Sequence, residues 1–222
     1  MSLLKPTLIF PKDVFESPHS PYFSYGIRIS KEEVLDLENH LSRNGASSSP
    51  KAIVMFIGGF CDTIMRVVYR EFLNFEEPLC YKIYSSFKCK ELLSSWLTCL
   101  AQKKLPLFII AHSWGASNLY AALFAKANQN LCIEYLLTLD PVGYKTPKVF
   151  PPCVKEWENI YVKNKLWYWH RSNLVALIGH AWNFVPYATH NAFVQKPSHH
   201  ASIRSMLQAS HFNAKLHQII KT

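Results

Sequence analysis

From Asn159 to Thr222 the chain contains no aspartate or glutamate, against seven lysines and arginines. The whole protein carries a net charge of +9. That imbalance excludes an acidic surface on the C-terminal part. It favours anionic partners such as phospholipid headgroups, and it equally suits a plain solvated face. The chain also lacks any stretch of the ~20 strongly apolar residues that a membrane-spanning helix needs. Its longest uncharged segment, Ser172 to Gln195, is studded with Asn, His, Pro and Thr and reads as a buried or interfacial loop. Met1 to Phe10 is interrupted by Lys5 and Pro6 and lacks the apolar core and small-residue cleavage site of a signal peptide. A cytoplasmic protein is expected, with export lacking a cleavable signal as the alternative.

Cysteine pairs at C-x-x-C spacing are missing too. Cys61, Cys80, Cys89, Cys99, Cys132 and Cys153 are scattered and are expected as reduced, buried thiols. No Cys or His cluster has finger-like spacing, so no metal is expected. The basic tail has neither an aromatic-and-glycine RNA motif nor a DNA-reading helix, so nucleic acid is not an expected partner. No internal repeat is present, and nothing in the sequence fixes an oligomeric state.

What is present suits one compact domain over residues 1–222. The chain is 49% apolar, with 14 Phe, 11 Tyr and 6 Trp, ample for a buried core. Residues 1–50 read as leading strands (Thr7 to Phe10, Tyr22 to Ile29) and a short helix opened by the Ser30/Glu33 capping box. From Lys51 strands and helices alternate. The expected strands are Ala52 to Ile57, Tyr81 to Phe87, Leu105 to Ala111, Ile133 to Leu139, Asn159 to Lys163 and His190 to Val194. Asp62 is expected to cap a helix bearing Ile64, Met65, Val68 and Phe72. Further helices are expected over Glu91 to Ala101 and Ala116 to Ala127, and a final one through Ile203, Met206, Leu207 and Leu216. This rhythm predicts an α/β fold with a mostly parallel central sheet and helices on both faces.

Chemistry gathers at expected strand ends. Ala111-His112-Ser113-Trp114-Gly115 reads as strand, sharp turn and helix with a serine at the apex. Asp140 ends the next strand in Leu137-Thr-Leu-Asp-Pro-Val142. After Ser113 only four carboxylates remain: Glu134, Asp140, Glu156 and Glu158. Glu134 falls at a strand start, and Glu156 and Glu158 in a polar approach to a strand. Asp140 alone falls where parallel strands present their C-terminal ends. His199 and His200 precede the final helix and cannot both aim at one serine. His200, directly before that helix, is preferred, and His199 remains open. His180 and His190 are outside candidates, and His112 is expected to pack under the turn. Gly58-Gly59-Phe60 ends an earlier strand, so the backbone N–H groups of Phe60 and Trp114 are candidates for holding an oxyanion.

Together these motifs resemble the α/β-hydrolase superfamily, from Lys51 to the C-terminus. The acid directly after the strand that follows the serine turn looks like the lipase branch. The Leu-Asp-Pro-Val run and the terminal His200-x-x-Ile203 also look like lipase-type effectors of bacterial secretion systems. Ala111 departs from the usual first glycine, and the chain leaves little room for a separate lid domain. The resemblance implies a serine esterase or lipase with catalytic Ser113, Asp140 and His200, no cofactor, and a small-molecule or lipid ester substrate. Trp167, Trp169, Trp182 and Phe184 are candidates for an acyl channel, or equally for core. Lys163, Lys165 and Arg171 would suit peripheral contact with an anionic membrane. A thioesterase or acyltransferase on the same triad, or a non-catalytic binding protein using the basic face, are the alternatives.

Overall fold

The computed structural model describes residues 50–221, apart from 61, 78, 88–89, 102–103, 126–130, 164–169 and 196–198. The expected strands and capped helix before residue 50 lie outside the described residues. The rest is an α/β fold around six parallel strands: β1 (Ala52–Gly58), β2 (Cys80–Ser86), β3 (Leu107–His112), β4 (Ile133–Leu139), β5 (Trp157–Val162) and β6 (His190–Val194). Their order is β2-β1-β3-β4-β5-β6, and every pairing is parallel.

Seven helices are described: α1 (Asp62–Met65), α2 (Val67–Asn74), α3 (Lys90–Ala101), α4 (Trp114–Leu123), α5 (Arg171–Ile178), α6 (Ile203–Gln208) and α7 (Phe212–Lys221). β1 and β3 are buried at every position, because helices cover both faces of the sheet. Successive side chains of a strand point to opposite faces. On one face, Phe56 meets Phe72 of α2 edge-on, 5.9 Å between centroids. Phe212 of α7 meets Phe108 and Tyr135 on the same side. On the other face, Ile57 abuts the start of α4. A Cβ at Gly115 would lie 2.9 Å from Ile57 Cγ2 and 2.8 Å from the Gly58 oxygen, so glycine is what lets α4 approach β1.

Four expectations need correction. The helix expected after Asp62 is two pieces, α1 and α2, broken where Arg66 takes a left-handed φ of 52°. The Asp62 carboxylate spans the break, accepting from the Val68 N–H at 2.6 Å and the Tyr69 N–H at 3.3 Å. The Tyr84 hydroxyl donates to its other oxygen. The final helix is likewise two, α6 and α7. The intervening turn is tied to Glu158, whose carboxylate accepts from the His211 N–H at 2.9 Å, from His211 Nδ1 at 2.8 Å and from the Tyr135 hydroxyl. Glu158 itself lies inside β5, solvent-excluded, not in a polar approach. Three donors are what make a buried carboxylate tolerable there. Last, the uncharged segment expected as a loop holds α5, whose buried residues are Ser172, Asn173 and Ala176.

Cys80, Cys132 and Cys153 are free thiols; Cys153 is buried and Cys132 exposed. Among the described residues no helix is long and apolar enough to cross a membrane.

Candidate active site

The chain leaves β1 in one direction to form β2 and later returns to lay β3 on the other side of β1. That reversal opens a crevice at the C-terminal ends of β1 and β3, the usual site of ligand binding in open parallel sheets. Ser113 sits there, between β3 and α4, with φ 55° and ψ −132°. A residue with a side chain held in such a region costs about 1–3 kcal/mol and persists only where its surroundings enforce it. Here the Ser113 N–H donates to the Leu139 carbonyl at 3.2 Å, and the Ser113 carbonyl accepts from Ala116 at 3.1 Å and Val142 at 3.3 Å. Gly59 closes the other side: a Cβ there would come within 2.3 Å of Ser113 Cβ. Ala111 is fully buried in β3, opposite Ile57 and Thr138.

The structure brings Asp140 and His200 to this serine. His200 Nε2 lies 2.9 Å from Ser113 Oγ, and His200 Nδ1 lies 2.6 Å from Asp140 Oδ2. A carboxylate only accepts, so Nδ1 carries the proton and Nε2 is left to accept from the hydroxyl. Asp140 is also held at a positive φ of 41°. Its second oxygen accepts from the Val162 N–H at 2.9 Å, at the end of β5. Ser113 and His200 are solvent-excluded, and Asp140 is 1% exposed.

Two neighbours fix the imidazole. The Asn173 side-chain oxygen, on α5, accepts from the His200 N–H at 2.8 Å. His112 Nε2–H donates to the His200 carbonyl at 2.8 Å, with the two rings 4.6 Å apart. Burial, then the proximity of His200, pushes the His112 pKa down to about 3, so this ring is neutral. Its bare Nδ1 faces no hydrogen-bond partner among the described residues.

The other histidines stand apart from the serine. His199 stacks face to face on His170 at 3.7 Å, and its Nδ1 accepts from the Ala201 N–H at 3.2 Å. Burial, then His170 and His200, lowers its pKa. His180 and His190 are exposed, beside Tyr144 and Glu156 respectively.

Phe60 follows the glycine that abuts Ser113, and Trp114 opens α4, where the first N–H groups have no partner within the helix. Their rings meet edge-on at 5.8 Å, and Phe87, just past β2, joins both at 6.1 and 6.2 Å.

The four aromatics that were candidates for an acyl channel or for core fall differently. Trp167 and Trp169 lie outside the described residues. Trp182 is core, 2% exposed, with its indole N–H donating to the Gly143 carbonyl at 2.8 Å. Phe184 is 65% exposed. The Trp182 N–H donates to the Pro141 carbonyl at 2.8 Å. This folds the segment back on the site, so that Trp182 turns in and Phe184 out and the two line no common wall. Sequence reasoning missed Asn173 and Phe87. Phe87 gave a signal, an aromatic at the very end of an expected strand; Asn173 gave none.

Among the described residues no group of three or more His, Cys, Asp or Glu is placed to hold a metal ion. No protein-family model matches the chain, and a search of curated proteins returns no match.

Proposed function

We propose that this protein is a serine carboxylic-ester hydrolase of the α/β-hydrolase type, close to the lipase branch, acting on acyl esters of lipid-like character. One observation carries the reading: a Ser113–His200–Asp140 relay, with separations of 2.9 and 2.6 Å, built on a serine in a strained backbone conformation at a strand-to-helix turn. An ordinary turn serine does not need the strain or the relay.

In the proposed reaction, Ser113 Oγ attacks the ester carbonyl carbon while His200 Nε2 takes the hydroxyl proton. Asp140 keeps the imidazole in the required tautomer and stabilises the imidazolium. The carbonyl oxygen, now negative, accepts from the Phe60 and Trp114 N–H groups; such donors contribute about 3–4 kcal/mol each. Collapse breaks the ester C–O bond, His200 returns the proton to the leaving alcohol, and the acyl group stays on Ser113. Water then attacks, giving its proton to His200, and the acid departs as Ser113 Oγ regains that proton.

Fluorophosphonate labelling with mapping of the modified residue tests this. Modification at Ser113 is expected. Ser113→Ala is expected to abolish labelling and to lower ester turnover on the order of 10⁴-fold or more while remaining folded. The complete burial of Ser113 favours a second reading, a binding protein that keeps the triad closed. Absence of labelling, beside a control esterase that labels, would establish that reading.

A further inference from the structure

We infer that Phe60, Phe87 and Trp114 form the acyl-binding wall, so that the enzyme selects its substrates by an apolar acyl group and not by the alcohol. This rests on the hydrolase reading above and adds to it the side of the ester that is recognised. The C-terminal edge of the sheet is divided. Asp140 and His200 follow β4 and β6, on one side of Ser113; Phe60 and Phe87 follow β1 and β2, on the other. Trp114 begins α4 beside the serine and shares ring edges with both.

Stereochemistry then assigns the two halves of the ester. The leaving oxygen must lie within reach of His200 Nε2, which protonates it. The oxyanion points to the Phe60 and Trp114 N–H groups. With Ser113 Oγ in place as well, three directions around the tetrahedral carbon are taken. The fourth, the acyl substituent, points away from the imidazole and toward the three rings. Phe60 is 37% exposed, and Phe87 and Trp114 are partly buried, so apolar surface is available to a ligand. The wall is also braced: the Asn118 amide, one turn along α4 from Trp114, donates to the Phe87 carbonyl at 2.5 Å.

Two ester series test the assignment. With p-nitrophenyl esters from acetyl to hexanoyl, kcat/KM is expected to climb about fourfold per methylene, the transfer value of one CH₂. In Phe87→Ala the climb is expected to fall below twofold. With alkyl acetates from ethyl to hexyl, the wild-type climb is expected to stay below twofold. An unchanged climb in Phe87→Ala, or a steeper dependence on the alcohol, overturns the inference. Calorimetric binding of hexanoate needs no turnover: Phe87→Ala is expected to bind at least tenfold more weakly, and equal affinity overturns the wall. Should Phe87→Ala not fold, Trp114→Leu carries the same comparison. Labelling of Ser113 with Phe87-independent chain dependence would sink only the wall; no labelling with Phe87-dependent hexanoate binding would sink only the hydrolase.

Discussion

Helices α5 and α7 are similar in length and opposite in construction. α7 buries Phe212, Leu216 and Ile220, a regular apolar stripe at a spacing of four. α5 buries Ser172, Asn173 and Ala176 and leaves Leu174, Leu177 and Ile178 exposed. One helix is held by apolar area removed from water. The other is held by the hydrogen bonds of its polar side: His170 Nδ1 accepts from the Ser172 N–H, and Asn173 accepts from His200. A helix turned this way contributes little to the core, and it positions the turn that carries His200. Stability and site geometry are therefore assigned to different helices, and substitutions separate them.

The largest expected effect is on α7. Leu216 is 2% exposed, and Leu216→Ala is expected to destabilise the protein by about 2–5 kcal/mol through lost transfer energy and a residual cavity. Urea denaturation measures it. Turnover per folded molecule is expected to stay at the wild-type value; a loss of turnover in the folded fraction would mean that α7 also shapes the site, and the contrast would fail.

Asn173→Ala is next. It strands the buried His200 N–H, at a cost of about 1–3 kcal/mol. Here turnover per folded molecule is expected to drop at least tenfold, with kcat affected more than KM because in the proposed reaction the substrate meets His200 and not Asn173. Asn173→Asp, which keeps an acceptor at that place, is expected to recover most of the loss. Equal kcat in wild type and Asn173→Ala would remove α5 from the site's support.

The same contrast explains what was legible. Hydrophobic runs located β1, β3 and β4, because a strand buried on both faces has to be apolar; β2, β5 and β6 also start within two residues of expectation, although they carry Lys82, Glu158 and His190. Asp140 emerged because so few carboxylates follow Ser113. α5 stayed hidden: periodicity reports which residues are apolar, and here the apolar ones face out. Arg66 broke a helix without glycine or proline, because the Asp62 carboxylate caps Val68 and Tyr69 across the break. Glu158 looked like a polar approach because its partners, Tyr135 and His211, are remote in sequence. Phe60, Phe87 and Trp114 come from three separate turns, and only the strand order makes them neighbours.

His112 holds the His200 turn from the other side, and it brings a pH dependence that the buried apolar stripe of α7 cannot. Its folded-state pKa lies at about 3, below the ordinary 6.5. Between those values the unfolded chain takes up a proton that the folded chain refuses. The stabilisation is present above pH 6.5 and is lost as pH falls toward 3. Going from pH 7 to 5.5, wild type is expected to lose about 1.3 kcal/mol more than His112→Asn, from the linkage of one such group. Denaturant titrations at the two pH values measure the difference. Leu216→Ala is expected to keep the full wild-type slope, since its loss is apolar; parallel slopes in wild type and His112→Asn would show that this ring is not the titrating group.

The smallest expected effect is the sharpest check on α5. Ile178 is 70% exposed, so its side chain already spends the folded state largely in water. Ile178→Ser removes apolar surface that folding does not bury, and the expected change is within about 0.5 kcal/mol, as for surface positions generally. An isoleucine at the end of α7 gives the control: Ile220 is 8% exposed, and Ile220→Ser is expected to cost several times more, because it loses burial and adds a hydroxyl inside. The two variants make the same chemical change, on helices of nearly equal length, at positions near their C-terminal ends. A loss above about 1 kcal/mol in Ile178→Ser, well outside the surface range, would mean that the outer face of α5 is covered in solution, and the helix would then be apolar on a buried side after all.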